Sequence, residues 1–494
     1  MKIKLILGMA LVLFSYCAKS GGDDAGSGSG GGSSAAETII WAKTTVTGPS
    51  ASVFNGVAVD SAGNTIACGT QGSGGSYGYG SGVSATGSGG LVIKYNSSGT
   101  PVWARAHGTA YFGCVTDSAN NVYAVGALQS VSAVTFDTGV TALAAYTTGN
   151  SAIIVKYNSS GVAQWAKTTT AGAAASVFNG VAIDSSGNLY AVGYQTGTGS
   201  YSYAAGVSAT GAATGTNVVI VKYDSAGTAQ WAKTTTTGTS AGEFRAVNVD
   251  GSGNIFVVGY QTGTGSYQYN AGVTATGTST TTNAVLVKYD NTGAASFAQA
   301  ITAGASNSQF NGVGTDSAGS VYAVGLQRGT GTFAYGAGAT ITAVGSAAAN
   351  DNAVIVKYNG SGAAQWARTV SGTTYQTVFY SVAVDTSSNV FAVGKQSGTD
   401  QSVTYGSGVS AKTSTWCCDN IALVKYDSSG NAQFARTVVS SDRGTSFASV
   451  AVDSGGVYAA GLKNQDTSIS FSSGTSLSGG ATGLNNVLLI KYNK

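Results

Sequence analysis

Acid–base chemistry needs side chains that change protonation near neutral pH, and this chain has few of them. His107 is its one histidine, and Glu37 and Glu243 are its only glutamates. With no second histidine, His107 cannot join a His cluster, and its place ahead of Phe112 predicts a solvated loop residue. Paired carboxylates for glycoside hydrolysis would have to come from scattered aspartates such as Asp137, Asp351, Asp400 and Asp442. Nothing in their spacing selects a pair. No nucleophile stands beside a base, and glycine is too common here for any Gly-rich stretch to mark a phosphate loop. The sequence therefore predicts no catalytic residues, no metal site and no cofactor.

The five cysteines say more. Lys2 and Lys4 precede an apolar run from Leu5 to Phe14, which is too short to span a bilayer and reads as an export signal. The run ends Leu13-Phe14-Ser15-Tyr16-Cys17, which resembles a bacterial lipobox with Cys17 as the lipidated first mature residue. Tyr16 stands where most lipoboxes carry a small residue. Residues 18–37 are almost all Gly, Ser, Ala and Asp. They predict a flexible tether with a reach of about 25 Å. Cys68 and Cys114 replace Val in apolar runs and are expected to be buried free thiols. Cys417 and Cys418 are vicinal and follow Trp416. Two readings stay open for them: a vicinal disulfide making a stiff apolar bump on a binding face, or two free loop thiols.

Aromatics supply the remaining candidates. Tyr79, Phe136, Tyr203, Tyr269, Tyr335, Tyr405 and Phe471 recur in long loops, each three residues before a Gly or in the equivalent place. One reading offers Tyr203, Tyr269 and Tyr335, with Trp416, to a glycan or protein. The other makes each ring a packing anchor within an extra hairpin, and repetition favours it. Seven aspartates in turns of the Asp-Ser-x-Gly-Asn kind (Asp60, Asp117, Asp184, Asp250, Asp316, Asp385 and Asp453) bring one carboxylate each. A calcium loop needs several, so these cap their own turns. The repeated lysines, such as Lys222 and Lys425, read as solvated or paired structural charges.

What positions these residues is a repeat. Trp-Ala-Lys or its variants begin at 41, 103, 165, 231, 297, 366 and 434, at intervals of 62 to 69 residues. A Lys-Tyr pair closes an apolar run from Lys94 to Lys491, again seven times. Each period reads as four short strands: 180–184, 189–193, 218–223 and 230–234 in one copy. Four strands per period and seven periods predict an all-β, seven-bladed propeller over residues 38–494, after a signal (1–16) and a tether (17–37). The chain enters with a fourth strand at 38–43 and leaves with a third strand at 486–492, so the last blade closes when these pair and its edge is covered.

The runs Val-Lys-Tyr-Asp-Ser-Ser-Gly-Asn-Ala-Gln-Phe-Ala-Arg (424–436) and Val-Ala-Val-Asp-Ser-Ala-Gly-Asn (57–64) resemble SBBP-type seven-bladed propeller repeats. With the lipobox, the whole chain is similar to propeller lipoproteins of leptospiral type. That resemblance implies an outer-membrane, lipid-anchored protein and no established activity.

Composition agrees with a large folded core. Hydrophobic residues are 43% and charged residues only 9%, which excludes charge-driven disorder. Gly numbers 74 and Pro 2, which excludes collagen. The net charge is +3, with no basic run, so nucleic acid is not an expected partner. Strands of five to seven residues with a repeated Lys are too short and too charged for a membrane barrel. Tight turns should lie on one face, and long variable loops such as 194–217 on the other. The expected function is non-enzymatic binding, adhesion or scaffolding by a monomer through the long-loop face, toward a protein or glycan, with the membrane reached through Cys17. The alternative is a polysaccharide-active propeller enzyme with an Asp-based site at the channel mouth.

Overall fold

The computed structural model describes residues 38–494 apart from 130–131, 147–148, 239, 337–339, 415–417, 442–443, 465–467, 472–473 and 481–483. The signal, Cys17, the tether, Trp416, Cys417 and Asp442 lie outside the described residues. Strands make up the architecture, and no helix among the described residues is long and apolar enough to cross a membrane.

Seven four-stranded antiparallel blades surround an axis. The third blade runs Ser176–Ile183, Leu189–Thr196, Thr216–Tyr223 and Ala229–Lys233 from axis to rim. The first strand starts earlier than its Gly-Val-Ala-Ile run predicts. A β-bulge between Phe178 and Gly180 lets pairing continue past the glycine, with Phe178 opposite Gly193. The second and third strands also lengthen at the ends facing the long loops, reaching Thr196 and Thr216.

The last blade combines both ends of the chain. Thr445–Asp453, Gly456–Asn464 and Asn485–Tyr492 receive Ile39–Thr44 as the outer strand, with Ile39 opposite Tyr492 and Thr44 opposite Leu488. Thr44 Oγ1 donates to the Val487 carbonyl at 2.7 Å. Ring closure by the termini is therefore as the sequence predicts.

Two sets of bolts join neighbouring blades. On the tight-turn side, the outer-strand Trp of four blades donates to the next blade's turn. Trp41 Nε1 donates to Ser97 O at 3.2 Å, Trp103 to Ser159 O at 3.1 Å and Trp366 to Ser428 O at 3.2 Å. Gly161 shows why those turns need glycine: its φ is 79°, and a Cβ there would lie 2.6 Å from the Trp103 ring. On the opposite side, the connection between second and third strands carries a small hairpin in every blade, such as Ser200–Ala204 with Val207–Thr210. These hairpins bridge to the chain leaving the preceding blade, as in Thr47 with Gly78, Ala171 with Ser202 and Ser371 with Thr404. The connections from fourth to first strand are shorter than expected, down to the single residue Gly108.

The core lies between blades. Each hydrophobic cluster joins strands of adjacent blades, for example Val125 and Leu189 in one and Val192 and Ile255 in the next. Third strands are buried on both faces for this reason.

Candidate functional site

The turn aspartates cap turns, as their sequence predicts. Asp184 Oδ1 accepts from the backbone of Ser186 and Asn188 at 2.9 Å, and Oδ2 accepts from Asn188 Nδ2 and the Tyr190 hydroxyl. Burial alone would raise such carboxyls. The donors around Asp60, Asp117, Asp184 and Asp385 outweigh it and hold them below the ordinary value. The repeated lysines are structural too: Lys94 pairs with Asp60 at 2.9 Å, and Lys222 Nζ sits 5.7 Å over the Tyr190 ring.

The hairpin aromatics are packing anchors, which corrects the reading of Tyr203, Tyr269 and Tyr335 as rings offered to a ligand. All three are buried. Their hydroxyls donate to Gln195 at 3.0 Å, Gln261 at 3.1 Å and Gln327 at 2.9 Å. Each Gln in turn donates to a hairpin carbonyl, at Ala209, Ala275 and Ala343. Tyr203 also contributes to the wall of an outer groove of about 360 Å³ that includes Leu143, Lys167 and Thr170.

His107 requires a second correction. It ends the strand Pro101–His107, because the following connection is one residue long. Its ring lies 5.0 Å from Phe136 and 6.2 Å from Tyr157. Burial, then the Arg105 charge, lower its pKa to about 4, so it is neutral rather than a solvated loop cation.

The axis carries the side chains that sequence reasoning left out. The first-strand bulge of each blade turns one residue into the channel: Asn55, Phe112, Asn179, Arg245, Asn311, Tyr380 and Ala448. They line an axial cavity of about 210 Å³. Asn55, Asn179 and Asn311 act as staples, each Nδ2 donating to the next blade's first strand at Tyr111 O, Phe244 O and Phe379 O. The other four have no common role. A repeat column that varies while its neighbours repeat is the signal that could have found them.

Among the described residues lining the axial cavity, Arg245 is the one charged side chain. Glu243, 3% exposed, accepts from Asn179 Nδ2 at 2.8 Å and from the Tyr260 hydroxyl at 2.9 Å, with Arg245 Nη2 at 3.5 Å. The Arg245 guanidinium lies 5.5 Å over the Tyr260 ring. In the sixth blade, Lys395 and Asp419 pair at 2.9 Å, with the Ser397 hydroxyl on the other carboxylate oxygen. Asp351 accepts from Gln376 at 2.7 Å. Burial pushes Tyr194 up to about 12, and burial with the charges of Asp419 and Asp351 raises Tyr380. These phenols stay protonated at neutral pH. They offer stacking and hydrogen bonding rather than a phenolate base.

Of the scattered aspartates, the described Asp137, Asp351 and Asp400 have separate partners and are not assembled into one site. Asp137 caps its own hairpin through Thr138 N, and Asp400 pairs with Lys412 at 2.7 Å on the exposed rim. No group of three or more His, Cys, Asp or Glu among the described residues could hold a metal. Cys68 and Cys114 are buried, as expected, and no disulfide joins them in this structure. The vicinal pair falls partly outside the described residues; Cys418 itself has a φ of 102°.

No protein-family model matches the chain, and no curated protein matches it. Solved structures are similar at the level of fold. Virginiamycin B lyase from Staphylococcus aureus is 7% identical, with 91% of this chain and 98% of that one covered and a TM-score of 0.42. The polysaccharide lyase Uly1 is 10% identical over 90% of each chain, with a TM-score of 0.39. A protein of unknown function from Bacteroides caccae is 10% identical, covering 67% of this chain and 85% of its own, with a TM-score of 0.33. At such identities the likeness brings no function with it.

Proposed function

We propose that the chain is a lipid-anchored bacterial envelope protein that binds a protein or glycan, without turnover, through the face carrying its hairpins and channel mouth. One observation carries this reading: the face of the ring at which residue 38 lies. Ile39 pairs with Tyr492, and Asn493 N donates to Thr38 O at 3.0 Å, where the last blade would otherwise have its tight turn. Residue 38 thus lies at the tight-turn face. A lipid on Cys17 would turn that face to the membrane and direct the hairpins and the Arg245–Glu243 sector away from it. The SBBP-like repeats and the lipobox support the address. The engaged Glu243 and the protonated phenols support binding rather than proton transfer.

Two measurements test it. Labelled fatty acid should enter the wild-type protein and not Cys17→Ala; equal labelling of both removes the anchor. Arrays of glycans and proteins should then be probed with the wild type and with variants whose hairpins, such as 200–210, are cut to a Gly-Gly turn. Binding that survives loss of all seven hairpins and Arg245→Ala would place the site elsewhere. Conversion of any arrayed glycan would replace binding with catalysis.

A further inference from the structure

Each interface between blades brings together one second-strand position and one first-strand position of the next blade. Those pairs share a core cluster in all seven interfaces: Val125 with Val181, Val192 with Val247, Val258 with Val313, Val324 with Val382, Val393 with Val450, and Ala460 with Val57. The remaining interface, between the first and second blades, holds Cys68 and Cys114. Of the fourteen positions in these pairs, two are cysteine, and they face each other. Independent Val-to-Cys replacement would more often have put them in different interfaces.

The local geometry favours sulfur here. Gly56 pairs with Cys68, and a Cβ on Gly56 would lie 2.7 Å from the Cys68 sulfur and 3.2 Å from the Cys114 nitrogen. Absence of that Cβ leaves the space into which the Cys68 sulfur projects toward the next blade. The two side chains lie in one buried cluster, and Cys114 Sγ approaches the carbonyl of Ile66, two residues before Cys68, at 4.0 Å. Cys114 also lines the axial cavity, which gives a small reagent a route to it.

We propose that Cys68 and Cys114 are an oxidisable pair that forms a disulfide across the interface of the first and second blades when a hydroperoxide reaches the axial cavity. The Cys114 thiol gives up its proton, and the thiolate attacks one peroxide oxygen and breaks the O–O bond, giving a sulfenic acid and a hydroxide that takes up that proton as one water. The Cys68 sulfur then attacks the Cys114 sulfur, the S–S bond forms, and the hydroxyl leaves with the Cys68 proton as a second water. Two thiols lose two electrons and two protons, and hydrogen peroxide takes up both. Burial pushes the Cys68 thiol well up, so it stays protonated until its partner has been oxidised. The product adds a covalent tie to two blades already joined by packing and by hydrogen bonds such as Asn55 Nδ2 to Tyr111 O.

Peptide mapping of the folded chain tests this. After treatment with hydrogen peroxide and alkylation without reductant, trypsin should release residues 44–94 linked to 106–156, accounting for most of the Cys114 present. Reductant should separate them. Cys68→Val installs the residue found at five of the six equivalent positions and Cys114→Val the residue found at all six, and both variants should fold. Neither should give the linked product, and the thermal transition of oxidised wild type should lie above that of oxidised Cys68→Val. Over-oxidation of Cys114 without a link would overturn the proposal, as would linkage of either cysteine to Cys418.

Discussion

Replacing Tyr269 and Gln261 singly and together measures what holds the hairpins down. Tyr269 donates to Gln261 Oε1 at 3.1 Å, Gln261 Nε2 donates to Ala275 O at 3.0 Å, and both side chains are buried. Tyr269→Phe keeps the ring, which lies 6.1 Å from Phe244, and leaves Gln261 Oε1 without that donor. An orphaned buried acceptor costs about 1–3 kcal/mol. Gln261→Leu removes both bonds and should cost about 2–5 kcal/mol on the same basis. The double variant rebuilds what the second blade already has, Leu128 with Phe136. It should therefore be less destabilised than the sum of the singles by about 1–3 kcal/mol. Unfolding entropy of about 2.1 cal/mol/K per residue makes 2 kcal/mol a shift of about 2 °C for a ring of this size. Denaturant titration followed by tryptophan fluorescence, with calorimetry alongside, reads the cycle. Strictly additive costs would refute the coupling, and with it the account of why Tyr accompanies Gln in five blades and Phe occupies the other two.

The termini and His107 give further tests. Trp41 is buried against Tyr95 and Tyr458, at ring distances of 6.4 and 6.2 Å, and Trp41→Ala should cost about 3–5 kcal/mol by removing the closing bolt. An unchanged melting transition would argue that the ring does not close through the first strand. His107 is neutral when folded because its pKa is lowered to about 4, whereas the unfolded chain binds a proton near pH 6.5. Stability should therefore fall as pH drops from about 6.5 towards 4, by at most one proton or about 1.4 kcal/mol per pH unit. His107→Phe should flatten that part of the profile; an unaltered slope would show that other groups produce it.

The fold was legible because its punctuation repeats. Four independent markers, the Asp, the Gly, the Lys-Tyr and the Trp, each recur seven times, and the split last blade follows from which strands the two ends supply. The markers work because each serves an interface that every blade has: Trp103 on the next turn, Asp184 within its own. Strand limits were less legible, since the bulge at Phe178 and Gly180 breaks the alternation by which a strand is recognised. The same bulge hid Arg245 and Tyr380, whose side chains reach the channel only through that irregularity. His107 was misplaced because a connection of one residue is indistinguishable in sequence from the start of a loop. The Gln–Tyr anchors could have been found. Gln stands two residues after the strand-closing Gly in the blades with Tyr79, Tyr203, Tyr269, Tyr335 and Tyr405, and Leu128 or Lys463 stands there in the blades with Phe136 and Phe471.

A ring of near-identical blades presents a recognition surface with little direction unless something breaks its symmetry. At the axis, structure alone asks for little: Asn55, Asn179 and Asn311 join neighbouring first strands, and Ser381 and Ser449 take a similar part by accepting from Val450 N and Val57 N. Arg245 and Glu243 do not fit that economy. Glu243 takes the bond that a backbone staple does not need, and Arg245 keeps a cation partly out of water where its counterparts are Asn, Phe, Tyr and Ala. Burying an ion pair costs desolvation that its Coulomb attraction recovers only in good geometry, and 3.5 Å is not a tight contact. Packing between the third and fourth blades therefore supplies no reason for this pair, since no other first strand carries an acid and a base at the equivalent positions. The binding proposed above would give it one: a partner meeting the channel mouth would be oriented against one sector of an otherwise repetitive face.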